Sequence, residues 1–122
     1  MARYKFTYLA FSFTLLITFF SVIPLQIKIA GDHNFLNLDK AIHFLIYFIY
    51  TISIFISLEK EFPIMSSKLL SIFISFIVGF SLELIQGFFL AHRSFEILDL
   101  FSNCAGILTF ALVSKTIKKV VA

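Results

Sequence analysis

The chain has 122 residues, 60% of them hydrophobic and 14% charged, with a mean hydropathy of +1.00, a formal charge of +3 and a pI near 9.1. A soluble domain averages roughly 45–50% apolar and about 25% charged residues, so the composition argues against a water-soluble globule and for one all-α membrane domain over residues 1–122. Nucleic acid is not indicated as a partner, because the Lys and Arg residues sit at the ends of apolar runs and form no continuous basic face. The 18 Phe residues lack basic interleaving and read as lipid-facing bulk.

In chain order, four apolar runs predict four transmembrane helices over about 6–27, 41–58, 69–90 and 95–113. The first follows Arg3 and Lys5 and is long enough to cross a ~30 Å hydrocarbon core. A cleaved signal peptide is the competing reading. The run exceeds a normal signal core, however, and Lys28, Ala30 and Gly31 do not make a small-residue cleavage site. Residues 28–38 read as a polar connection, with His33 a solvated loop residue. In the second helix Asp39, His43 and Tyr47 recur every four residues and share one face.

Glu59, Lys60, Glu61 and Pro63 read as the charged turn that ends the second helix. In the third helix Glu83 and Gln86 are neighbours at i, i+3. Seven positions separate Glu83 from Leu90, which puts the carboxyl group about 10 Å below the helix end. Residues 91–95 form a tight reversal, with Ser94 a candidate cap and Glu96 in the first turn of the fourth helix. Asp99, Asn103 and Gly106, at i, i+4 and i+7, form one stripe of that helix.

With both termini cytoplasmic, seven basic residues lie inside (Arg3, Lys5, Lys60, Lys68, Lys115, Lys118, Lys119) and three outside (Lys28, Lys40, Arg93). The positive-inside rule therefore predicts an N-in/C-in four-helix bundle. Asp39, Lys40, His43, Glu83, Gln86, Arg93, Asp99 and Asn103 then gather at the outer leaflet. The Asp39/His43 and Asp99/Asn103 pairs also open the second and fourth helices alike, which two related hairpins or chance could explain.

Ionisable groups at this depth are costly and mark functional sites by default. Glu83 must stay protonated or find a cation, with Arg93 the first partner to consider and His43 or Lys40 the others. The bland alternative is a helix clamp in which Glu83, Gln86, Asp99 and Asn103 hydrogen-bond across the bundle, each bond contributing ~0.6 kcal/mol. Asp39, His43, Glu83 and Asp99 are metal-ligand types without a diagnostic spacing, so neither a metal nor a cofactor is called for. Neither Ser94 nor Ser102 lies in a nucleophile-elbow sequence. The lone Cys104 reads as a packing residue.

Three blocks, LDKAIHFLIYF, GFSLELIQGFF and HRSFEILDLFSNCAG, resemble those of the VanZ-like family of bacterial membrane proteins. The matching residues are Asp39, Lys40, His43, Phe44 and Tyr47, then Glu83 and Gln86, then Arg93, Asp99, Asn103 and Gly106, over roughly residues 38–113. His92 departs from the Gly that often precedes the Arg in that family. The resemblance implies a small multi-pass protein of the bacterial cytoplasmic membrane, from a family whose prototype is associated with teicoplanin resistance. The leading expectation is a non-enzymatic protein binding a lipid-linked wall precursor, a lipid headgroup or a glycopeptide. An acid/base enzyme using Asp39, His43 and Glu83 is the rival, and an assembly subunit the third reading. Oligomeric state is not legible.

Overall fold

The computed structural model describes residues 4–22, 33–62, 66–88 and 97–121, with side chains over 4–21, 40–62, 66–88 and 97–120. It is all-helical: α1 Lys5–Val22, α2 His33–Glu61, α3 Ser67–Phe88 and α4 Ile97–Val121. α2, α3 and α4 each contain a stretch long and apolar enough to cross a membrane, Lys40–Glu61, Ser67–Phe88 and Ile97–Val120; the apolar part of α1, Lys5–Ser21, is shorter. In lipid every backbone amide must be satisfied within its own segment, and such runs have no alternative to the helix.

Both ends of α2 and the end of α4 differ from the sequence expectation. α2 begins at His33, inside the stretch read as a polar connection, and runs through Glu61 rather than ending before the charged triplet. The propensity cost of a residue such as Asn34 or Asn37 is a fraction of a kcal/mol, too little to stop a helix that continues on both sides. Phe62 N still donates to Leu58 O at 3.2 Å. α4 likewise continues past residue 113 to Val121, because lysine is a good helix former and Lys118 and Lys119 in the last turn complement the helix dipole. The reversal at residues 91–95, with Arg93 and the Ser94 cap, and Glu96 beyond it, lies outside the described residues.

α2 and α3 each pack against all three other helices, whereas α1 and α4 occupy opposite flanks and do not meet among the described residues. Thr14 on α1 bonds Tyr50 at 2.6 Å, and Thr51 on α2 bonds Ser75 at 2.9 Å, so both of these pairs run antiparallel when read with the Thr7–Ser57 and Glu59–Ser67 contacts. α2 and α4 run parallel, from Lys40 beside Asp99 to Phe55 against Phe110, whose ring centroids are 5.3 Å apart.

The buried face of α3 is Ser67, Ser71, Ser75, Gly79, Leu82, Glu83 and Gln86. Steps of four and three place these on one stripe, and small residues let neighbouring helices approach closely. The large apolar side chains of the same helix, among them Leu69, Phe73 and Phe76, face outward. The hydroxyls are satisfied without water: Ser71 donates to Lys68 O, Ser53 to Tyr50 O and Ser114 to Ala111 O.

Candidate functional site

The N-terminal ends of α2 and α4 meet at one end of the bundle. Lys40 and His43, three residues apart on α2, face the same side of the helix. Asp99 stands in the first turn of α4, where the positive end of the helix dipole favours a carboxylate. Its Oδ1 accepts from Lys40 Nζ, and its Oδ2 lies 3.7 Å from His43 Nε2. That separation is too long for a hydrogen bond but close enough for an ion pair when the imidazole is protonated. One turn further on, Asn103 Oδ1 lies 3.2 Å from His43 Nδ1. With Nδ1–H donating to Asn103, the opposite nitrogen presents either a lone pair or a second proton to Asp99.

Two glycines set this geometry. A Cβ on Gly106 would stand 2.3 Å from Phe44 O and 3.0 Å from Phe48 N, so only glycine allows the α4 backbone this close to α2. A Cβ on Gly79 would meet Tyr47 Cε1 at 3.0 Å and Asn103 Nδ2 at 3.4 Å, which places Tyr47, Gly79 and Asn103 at one crossing of α2, α3 and α4. Glu83, one turn past Gly79, is 2% exposed and close enough to act electrostatically on Tyr47.

Of the residues singled out in the sequence, the structure thus brings together Lys40, His43, Asp99 and Asn103 by direct contact, and Tyr47 and Glu83 next to them. Gln86 is buried but turns the other way, its Nε2 donating to Ser21 O of α1 at 3.0 Å. Arg93 and the Asp39 side chain lie outside the described residues. Among the described residues, no three His, Cys, Asp or Glu side chains converge as a metal-holding group.

Sequence reading missed a second polar cluster at the opposite end. Glu61 reaches across to the start of α1, where Oε1 accepts from Phe6 N at 2.6 Å and Oε2 from Thr7 N at 2.8 Å. Thr7 Oγ1 also bonds Glu61, at 2.5 Å, and Ser57 Oγ, at 2.7 Å; Ser67 donates to Glu59 nearby. Glu61 therefore caps α1 from another helix. The serine stripe of α3 was missed as well, although its spacing of four was visible. Comparison with protein-family models, with curated proteins and with solved structures finds no match.

Proposed function

We propose that this is a small multi-pass membrane protein that binds a polar or anionic group at the Lys40–His43–Asp99–Asn103 end of its bundle. The observation that carries this reading is the juxtaposition of a lysine, a histidine and an aspartate on two parallel helices, partly open at the bundle end, with Glu83 buried behind them. Such groups are rare in membrane helices unless a ligand or proton uses them. In this reading all four helices cross the membrane, both termini are cytoplasmic and the site faces the outer leaflet. The three sequence blocks support kinship with the VanZ-like family, and with it a bacterial cytoplasmic membrane and a lipid-linked wall precursor, a phospholipid headgroup or a glycopeptide as ligand. Lys40, joined from the sequence by Arg93, contacts the anionic part; Asn103 and Glu83 orient polar groups.

A second reading, an acid/base enzyme acting on a lipid-linked substrate, draws on the approach of His43 to Asp99. There His43 is the general base through Nε2, its ring oriented by Asn103 on Nδ1, and Asp99 the carboxylate that stabilises the imidazolium once it forms. One experiment separates the two. The purified protein and its Lys40→Ala variant are titrated with lipid and glycopeptide panels, while lipid and wall-precursor profiles are compared between cells carrying wild type and His43→Ala. Binding lost by at least about ten-fold in Lys40→Ala with unchanged profiles supports the binder. Altered profiles that track His43 support the enzyme. Equal, weak binding by wild type and Lys40→Ala sinks the binding reading.

A further inference from the structure

At the end of the bundle away from Lys40, the start of α1, the end of α2, the start of α3 and the end of α4 come together, as the Thr7–Ser57, Glu59–Ser67 and Phe55–Phe110 contacts require. Exposed lysines come with them: Lys5, Lys60 and Lys68, one from each of the first three helices, and Lys115, Lys118 and Lys119 from α4. The acidic side chains described at this end, Glu59 and Glu61, are turned from α4. Glu61 binds the first amides of α1, and Glu59 accepts from Ser67 of α3. By sequence, residues 63–65 bring no charge and Arg3 adds a positive one.

The lysines of α4 continue an apolar stripe. At 3.6 residues per turn Lys115 and Lys119 fall in line with Phe101, Leu108 and Leu112, and Lys118 stands beside them. This line is opposite the face on which Asp99, Gly106 and Phe110 pack into the bundle, and Leu112 on it is 86% exposed. Ile97 and Lys115 are about 27 Å apart along the helix. With Ile97 at one edge of a ~30 Å hydrocarbon core, the amines therefore emerge at the other. Complementing the helix dipole accounts for Lys118 and Lys119 in the last turn. It does not account for Lys115, more than a turn before the helix ends at Val121, nor for an outward stripe that changes from apolar to basic at headgroup depth.

We infer that Leu108, Leu112, Lys115, Lys118 and Lys119 form a site for an anionic phospholipid of the leaflet at this end. An acyl chain lies along Leu108 and Leu112, and its phosphodiester sits among the three amines. Lysine suits the task, because its stem lies along apolar surface while the ammonium reaches the headgroups. Each such charge attracts anionic lipid over no more than a Debye length, so the α4 cluster concentrates what the other helices supply singly. Tyr8, exposed on α1, and Tyr4, stacked on Phe62 at 5.6 Å, mark the same end as a membrane interface, where such amphipathic rings settle. The site needs only the membrane setting and is independent of the ligand proposed at the Lys40 end.

The test uses the full chain in phosphatidylcholine vesicles with chain-spin-labelled phosphatidylglycerol or, separately, chain-spin-labelled phosphatidylcholine. The motionally restricted fraction in the electron spin resonance spectrum gives their relative affinity. Wild type is expected to prefer phosphatidylglycerol about five-fold in low salt, the attraction of one well-placed lysine at a membrane surface. Most of that preference is expected to vanish at about 1 M salt, where exposed charges are screened. Lys115→Gln, Lys118→Gln and Lys119→Gln combined should bring it below about two-fold, and Arg at the same three positions should preserve it. Lys5→Gln, Lys60→Gln and Lys68→Gln combined remove as much charge from the same end and should leave it above about three-fold. Equal losses in the two Gln variants would assign the preference to the basic end at large and overturn the α4 site. Loss in Lys40→Ala with none in the α4 variant would move the lipid to the opposite end, overturning this inference while supporting the proposed function. A wild type without preference, or with one that survives about 1 M salt, overturns it with no variant needed.

Discussion

A methyl group on Gly106 would overlap the backbone of α2, whereas one on Gly79 would press on the edge of the Tyr47 ring. The difference decides the sign and size of two otherwise identical substitutions. Backbone carbonyl and amide atoms cannot step aside without moving α2, so Gly106→Ala is expected to destabilise by about 1–3 kcal/mol, the usual range for overpacking. Tyr47 can rotate by a few tenths of an ångström, so Gly79→Ala is expected to cost less than about 1 kcal/mol. Thermal unfolding of the two purified variants in one detergent measures the contrast; equal losses would mean that the α2–α4 approach is not set by Gly106. Because Lys40–Asp99 and His43–Asn103 lie on the same α2–α4 seam, Gly106→Ala should also weaken anion binding, and Gly79→Ala should leave it largely intact.

Among elements, α1 has the weakest claim to its place, since of its described apolar side chains it buries only Ala10 and Ile17 and exposes others such as Leu9, Phe11, Leu15 and Phe19. What fixes it are polar ties: Glu61 on its first amides, Thr14 on Tyr50, and Ser21 O under Gln86. Glu61→Ala removes the acceptor of two backbone amides that α1 cannot satisfy within itself. The expected result is severalfold faster amide exchange over residues 5–10, unchanged exchange in α4 and a modest fall in Tm. Unchanged exchange at the start of α1 would rule out the cap. This cluster was illegible in the sequence because Glu59–Lys60–Glu61 looks like any solvated turn, and only the tertiary arrangement places it over another helix's N-terminus. The Asp99–Asn103–Gly106 stripe and the His43–Tyr47 face were legible because helical spacing alone decides which residues share a side. Partner choice between helices was not. Gln86, paired by spacing with Glu83, lies far enough round α3 to meet α1 instead.

At the scale of the whole molecule the distribution of polarity is inverted. Among the described residues the buried side chains comprise eleven polar or charged residues and nine apolar ones, while Leu69, Phe73, Phe101 and Leu112 stand outside. Water would reverse that arrangement; lipid favours it, because apolar contact outside costs nothing there and hydroxyls gain by bonding one another inside. The same frame bears on α1. Lys5–Val22 alone extends about 27 Å at 1.5 Å per residue, slightly short of the ~30 Å core. Yet its start is bonded to the Glu61 end of α2 and its last turn to the Gln86 end of α3. A helix tied to opposite ends of α2 and α3 lies along the length of both, which is what the proposed four crossings with both termini in the cytoplasm require. Dual reporters, a phosphatase active only outside and a galactosidase active only inside, fused after Asn37, Ser66 and Lys119 read this directly. Four crossings give phosphatase activity after Asn37 and galactosidase activity after Ser66 and Lys119. Were α1 to stay on the cytoplasmic surface, every fusion would switch, with Asn37 inside and Ser66 and Lys119 outside. That reversed pattern would also move the Lys40–Asp99 site to the cytoplasmic face and withdraw outer-leaflet ligands from consideration.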